Sequence, residues 1–265
     1  MRHFPDLQEK CFSDCFRLPA QNEEEKMNYV VIFAGGRGAR MGSDTPKQFL
    51  KVDGKEIIIH TIEKFNYDSN IDAIVVVCIG EYIDFCRDLI SRWKLEKVEN
   101  VIAGGRSGQE SIYNGLKYFE DEKSVSDEDM VLIHDGVRPV IDSDLIDRSI
   151  ECVRKNGNSI AAAPAIETII KVNEQGIMEE SIDRSKCRYA KAPQCFRLNE
   201  IWKAHNAALR DGRTDFIDSA TLMSWYGHQL FTTECSSENI KITTPNDFYT
   251  FRALYESKKK DRTND

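Results

Sequence analysis

Gly35, Gly36, Gly38 and Gly42 alternate with Arg37 and Arg40, and Lys47 follows shortly after them. Glycines let a backbone turn at positive φ and bring N–H groups close to a ligand. Successive N–H groups in such a loop form an anion-binding concavity, and arginine and lysine add fixed positive charge. The chemistry this suits is the holding of a polyphosphate; the plainer alternative is a glycine-rich turn with solvated arginines. The common phosphate loops do not fit. A dinucleotide fingerprint needs a third glycine where Met41 stands, and no Gly-Lys pair is followed by Ser or Thr.

A second constellation is Asp135-Gly136-Val137-Arg138-Pro139, which follows the apolar run 130–134. A carboxylate at the carboxyl end of a strand, beside a polyphosphate, is where a Mg²⁺ ligand would stand. Alternatively Asp135 is a turn residue paired with Arg138. In company with the first loop, the metal role is preferred. No Ser-His-Asp or H-E-x-x-H pattern calls for a covalent nucleophile or a zinc protease site. Cys11 and Cys15 lack a second Cys/His pair at suitable spacing. The eight cysteines are scattered, and those in apolar surroundings, such as Cys78 and Cys152, read as small core residues of a reducing compartment.

The elements that must position these residues follow from periodicity. Tyr29 to Phe33 is a short apolar run bounded by glycine, as in a strand buried on both faces. Helical spacing over 57–65 precedes a second strand at 72–79, an amphipathic helix over 81–93 and a third strand at 98–103. Gly104-Gly105-Arg106-Ser107 then leads into a helix containing Ser111, Asn114 and Leu116. Strand and helix alternating at this spacing imply a parallel α/β sheet with crossovers, whose ligands gather at the carboxyl ends of the strands. A helix is expected over 142–155, ended by Asn156-Gly157, and a small-residue strand over 160–165. A hairpin of 167–172 and 177–182, turning at Asn173 to Gly176, leaves the main sheet. Another helix over 199–210, a strand over 229–233 and a last helix begun by Pro245 complete the chain.

Five segments in order resemble the sugar-phosphate nucleotidyltransferases, and in particular the cytidylyltransferases acting on methylerythritol phosphate and on ribitol or ribulose phosphate. They are AGG-x-G-x-RM-G with PKQFL, HD-x-x-RP, KAPQCF, DFIDSATLMSW and NIKITTP, and the resemblance covers roughly 27–256. The resemblance implies a Rossmann-like, mostly parallel sheet of the nucleotide-diphospho-sugar transferase type with a protruding β-arm over about 166–190. It implies CTP, Mg²⁺ and a phosphorylated alditol as ligands, and a homodimer joined by that arm. By likeness, Arg40, Lys47 and Lys241 are catalytic. Ala34, Gly35, Gly36, Gly38, Gly105, Ser111 and Asp135 bind nucleotide, Asp135 also holding metal. Arg138, Thr168, Arg184 and Asp218 bind the acceptor. Two departures stand out: Ala192 replaces the family's threonine, and the segment around 215–219 is lengthened. These, with the opening IFAGG, look closer to the pentitol-phosphate enzymes than to those of isoprenoid synthesis.

The implied reaction joins CTP and an alditol phosphate into a CDP-alditol and pyrophosphate. The acceptor phosphate has a second pKa of about 6 and is largely ionised at neutral pH, so in-line positioning and charge neutralisation suffice without a general base. The net charge of −8 argues against nonspecific nucleic-acid binding but not against a local cationic site. No apolar run approaches a membrane span and no signal-peptide core is found, so a cytoplasmic location is expected. Residues 1–26 read as a separate polar tail or a mis-set start ahead of Met27, 27–258 as one domain, and 259–265 as a solvated tail. Two other classes fit the same sheet. A noncatalytic nucleotide-binding protein on the same fold is disfavoured by the joint presence of Arg40, Lys47, Asp135 and Lys241. An NAD-dependent oxidoreductase is disfavoured by Met41 and by the lack of an acidic residue ending the second strand.

Overall fold

The computed structural model describes residues 26–36, 42 and 45–263. Apart from Lys26, the amino-terminal segment lies outside them.

The chain enters the sheet at β1 (Asn28–Ala34), turns through a short hairpin, β2 (Lys51–Val52) and β3 (Lys55–Glu56), and crosses by helix α1 (Ile57–Asn66) to β4 (Ala73–Cys78). Helix α2 (Ile83–Arg92) leads to β5 (Val98–Ala103), and α3 (Gly108–Glu122) returns the chain to β6 (Met130–Asp135). Then follow α4 (Ser143–Asn156), β7 (Asn158–Pro164), a two-stranded arm of β8 (Ile169–Val172) and β9 (Met178–Ile182), and the long β10 (Arg188–Arg197). Helices α5 (Leu198–Arg210) and α6 (Ser219–Trp225), β11 (Thr232–Glu234) and α7 (Pro245–Thr263) finish the fold.

The main sheet has the order β11-β7-β10-β6-β1-β4-β5. β1 pairs in parallel with both β4 and β6, β4 with β5, and β7 with β11. β10 runs antiparallel to β6 and β7. The sheet is therefore mostly parallel, as expected, with one reversed strand that periodicity did not disclose.

Side chains of a strand alternate between faces, and β1 divides its load accordingly. Val30 and Ile32 pack in one layer with α1, α2 and α4 through Ile58, Ile62, Leu89 and Ile146. Tyr29 and Val31 pack in the opposite layer with α3, α5 and α6 through Leu116, Phe119, Ile201 and Leu222. A right-handed crossover places its helix according to the direction of travel. Outward steps from β1 to β5 put α1 and α2 on one face; the return step to β6 puts α3 on the other. A third apolar cluster, Val52, Ile57, Val137, Ile242 and Phe251, seats α7 against the β2–β3 hairpin. The helix runs on to Thr263, into the stretch read as a tail, and Lys259 reaches Asp53 at 2.7 Å.

The first turn of α3 is held by Ser107, whose hydroxyl accepts from the Glu110 N–H at 3.1 Å, while the Glu110 carboxylate accepts from the Arg106 N–H at 2.7 Å. This is a variant of the Ser-x-x-Glu capping arrangement. Asp142 caps α4, and Gly157 ends it at φ 87°, the left-handed position that favours glycine. α3 lies very close to the sheet because Gly115 faces it: a Cβ there would stand 2.5 Å from Val31 Cγ1. Gly115→Val is expected to lower stability by ~1–3 kcal/mol through overpacking, measured as a fall in the urea midpoint with an unchanged slope.

Candidate active site

The strand order reverses about β1. The chain moves outward from β1 through β4 to β5 and then lays β6 on the other side of β1. Segments leaving β1 and β6 diverge there, and such a reversal opens a crevice at the carboxyl ends of the strands. Phe33 and Asp135 are register partners at this point, and the Gly136 N–H donates to the Phe33 carbonyl at 2.9 Å.

Asp135 is the electrostatic centre of the crevice. Its side chain is 8% exposed. One oxygen lies 2.5 Å from Lys241 Nζ and the other 3.2 Å from Arg138 Nε. Burial alone would raise its pKa; the charges of Lys241 and Arg138 outweigh that and hold the carboxyl below the usual range. Asp135 is thus paired with Arg138, as the plainer of its two readings has it, and stands at the carboxyl end of β6. Arg138 also donates to the Asn239 carbonyl at 2.7 Å, and Lys191 donates to the same carbonyl at 2.9 Å. Asn239 Nδ2 in turn donates to the Ala192 carbonyl at 2.7 Å. His134, fully buried, donates from Nε2 to the Arg138 carbonyl at 3.0 Å, since a carbonyl can only accept. This bond closes the 135–138 turn.

A cavity of about 200 Å³ opens beside this network. Asp135, Arg138, Lys191 and Lys241 line its cationic side; Ala192, Gln194, Asp218 and Phe216 line the other. Asp218 is fixed as the cap of α6, accepting from the Thr221 N–H at 2.8 Å and from Gln194 Nε2 at 3.0 Å. It reaches the cavity, but as a side chain already committed to α6 and Gln194.

The expected nucleotide residues meet next to it. Ser111 Oγ accepts from the Gly105 N–H at 3.0 Å and donates to the Ser107 carbonyl at 2.8 Å. A Cβ on Gly35 would approach Ser111 Oγ to 3.1 Å, so the end of β1 lies in tight contact with the first turn of α3. Ala34 is tied from its carbonyl to Gln48 Nε2 at 2.7 Å. That bond fixes the turn Lys47–Phe49, and with it the buried Lys47, to the end of β1. Gly36 stands open beyond Gly35. Gly38 and Arg40 lie outside the described residues.

Thr168 and Arg184 are not brought to the cavity of their own chain. Both are exposed on the arm, where Arg184 donates to the Ile166 carbonyl at 2.7 Å. Sequence reasoning gave no role to Lys191 and Gln194, although both stand in the KAPQCF segment, nor to Gln109, which lines the same cavity from α3.

Among the described residues the carboxylates lining the cavity are Asp135 and Asp218, and no group of three or more His, Cys, Asp or Glu side chains could hold a metal. The donor set fits a Mg²⁺ held chiefly by phosphates and water, which uses one or two protein carboxylates. It does not make an all-protein cage.

The comparisons with known proteins agree with this geometry. The profile of the IspD family, 2-C-methyl-D-erythritol 4-phosphate cytidylyltransferase, matches residues 28–257. The chain belongs to this family. A ribitol-5-phosphate cytidylyltransferase of Vibrio parahaemolyticus is 47% identical over 232 residues, covering 87% of this chain and 97% of that one. A 2-C-methyl-D-erythritol 4-phosphate cytidylyltransferase of Clostridium acetobutylicum is 37% identical, covering 86% and 97%. Among solved structures, the 2-C-methyl-D-erythritol 4-phosphate cytidylyltransferase of Francisella tularensis superposes with a TM-score of 0.71 at 29% identity, over 86% of this chain and 100% of that one. Among the described residues no helix is long and apolar enough to cross a membrane.

Two buried imidazoles make the family fold acid-sensitive. Burial pushes both His134 and His205 (on α5) down to about 4. Unfolding returns them to roughly 6.5. The stability they contribute is therefore complete above that value and is lost as pH falls toward 4, because the unfolded chain binds the protons first. Stability is expected to drop by at least ~2 kcal/mol between pH 7 and 4.5. His205→Leu should flatten that slope when urea unfolding is followed across the same range.

Proposed function

We propose that this protein transfers CMP from CTP to ribitol 5-phosphate, giving CDP-ribitol and pyrophosphate. An oxygen of the acceptor phosphate attacks the α-phosphorus of CTP; the bond from that phosphorus to the β-phosphate bridging oxygen breaks, and pyrophosphate leaves. The observation that carries the reading is the likeness to ribitol-5-phosphate cytidylyltransferases at 46–47% identity across almost their whole length. The cationic cavity beside Asp135 is the place for the chemistry.

In this reading the base and ribose border Ala34, Gly35, Gly105 and Ser111. Arg40, Lys47 and Lys241 neutralise the phosphates of CTP and of the departing pyrophosphate, with Gly36 and Gly38 supplying N–H groups. Asp135 would hold a Mg²⁺, which when bound would supply Lewis-acid charge to the phosphates. Arg138 and Asp218 shape the acceptor side. Ala192, buried against the cavity, leaves room where the family places a threonine. A CDP-alditol so formed would serve as an activated precursor for a teichoic-acid or capsular polymer. The second reading, methylerythritol 4-phosphate as acceptor, is favoured by the family profile itself.

The arm supports a homodimer. Ile166, Ile170, Val172, Ile177 and Met178 are all exposed on or beside β8 and β9, which form a sheet of their own. A lone hairpin is marginal in water, and a clustered apolar surface of this kind marks an interface. Thr168 and Arg184 would then meet an acceptor phosphate in the second copy's cavity.

The reaction is tested by pyrophosphate release with CTP and Mg²⁺, offering ribitol 5-phosphate and methylerythritol 4-phosphate in parallel. Turnover is expected with ribitol 5-phosphate and is expected to stop with excess EDTA; turnover with methylerythritol 4-phosphate alone would transfer the protein to the second reading. Lys47→Ala should cut turnover at least a hundredfold, the loss of ~2.7–4 kcal/mol seen when one such electrostatic contact is removed, with an unchanged circular dichroism spectrum. For the arm, Ile170→Asp with Ile177→Asp is expected to yield monomers in sedimentation velocity, and dimers persisting in that variant would exclude the arm as the interface.

A further inference from the structure

The segment between α5 and α6 presents an unusual combination. Phe216 is buried and Asp218 caps α6, yet Ile217 between them is 93% exposed and borders the cavity. A bulky apolar side chain held in water between two anchored neighbours is not placed there by the core.

One side chain fixes the segment. Gln109, in the first turn of α3, donates from Nε2 to the Arg213 carbonyl at 2.9 Å and accepts at Oε1 from the Phe216 N–H at 3.1 Å. Both functional atoms of the amide are thus used across more than a hundred residues of sequence. The segment is braced from outside as well: the Arg213 guanidinium lies 3.9 Å from the Trp225 ring and 4.9 Å from that of Phe216. Gln109 stands two residues before Ser111, so it joins the helix that borders the nucleotide to the loop that borders the acceptor.

We infer that Gln109 is a positioning residue that sets the 213–218 segment against the cavity, so that Ile217 covers the carbon chain of the acceptor and takes part in its selection. The ligand class is a linear polyol phosphate, whose C–H face an isoleucine can cover while its hydroxyls turn to Gln194 and Lys191. This rests on the reaction proposed above.

The test is steady-state kinetics on the full-length enzyme with ribitol 5-phosphate and CTP varied separately. Gln109→Ala is expected to raise the acceptor KM about tenfold, as for the loss of one to two neutral hydrogen bonds, with the KM for CTP held within about twofold. Ile217→Ala should raise the acceptor KM about fivefold; its exposure keeps it free of folding effects should Gln109→Ala prove unstable. Because both act through one loop, the double variant should be no worse than Gln109→Ala alone. An unchanged acceptor KM in active Ile217→Ala, equal rises in both KM values in Gln109→Ala, or rises that multiply in the double variant would each overturn the inference. Failure of the reaction itself would look different, since the unmodified enzyme would then release no pyrophosphate with ribitol 5-phosphate.

Discussion

The site depends on one buried charge. Asp135 is ionised inside the protein, and an isolated carboxylate there would be very costly. It persists because Lys241 and Arg138 each take one of its oxygens. Breaking such a set by removing one partner typically costs ~3–5 kcal/mol, because the remaining charge is left uncompensated. The pairing therefore obliges three distant stretches of chain to meet: the end of β6, the segment carrying Asn239 and Lys241, and β10 with Lys191 and Ala192. Other bonds follow from that meeting. The Ile242 N–H donates to the Val137 carbonyl at 2.9 Å, and Thr61 Oγ1 donates to the Gly136 carbonyl at 3.2 Å. A turn that would otherwise be a mobile loop is thereby clamped on every side.

That clamp also reconciles an acidic protein with a cationic cavity. The net charge is −8, but the cavity is lined by three cations, Arg138, Lys191 and Lys241, against two carboxylates, Asp135 and Asp218. Burial of Asp135 and the commitment of Asp218 to α6 and Gln194 blunt the negative contribution. Burial, and to a lesser degree the nearby Arg138, lowers the pKa of Lys191. Local field, not total charge, governs what enters.

Much of this was legible in the sequence, and the limits are instructive. The core strands were readable because β1, β4 and β6 are buried on both faces and so are continuous apolar runs. Gly157 announced the end of α4 because only a left-handed residue could stand there. The antiparallel β10 was not visible: Pro193 inside it argues against a strand, and its partners are chosen by tertiary packing. β11 was expected over 229–233 and is found at Thr232–Glu234, a shift set by pairing with β7. Among site residues, Asp135 and Lys241 stood in recognisable motifs and meet as an ion pair. Asp218 stood in one too, yet its cap bond to Thr221 and its bond to Gln194 appear only in three dimensions. Gln109 carried no sequence signal at all, because its two partners lie more than a hundred residues away.

The distinction between the two acceptors is itself a physical problem. Ribitol 5-phosphate has a longer carbon chain and an additional hydroxyl; methylerythritol phosphate has a methyl branch. An apolar pocket discriminates a methyl group by only ~1–3 kcal/mol, whereas a buried group built to hydrogen-bond a hydroxyl rejects the analogue lacking it far more strongly. In this chain Ala192 offers no side-chain donor of its own, and its carbonyl is already taken by Asn239. The polar side chains that β10 does bring to the cavity are Lys191 and Gln194, which are themselves held by Asn239 and by Asp218 and Ala220. Under the proposed function, selection of the acceptor would rest on this side-chain network, which the Asn239 carbonyl links through Arg138 to the buried charge at Asp135.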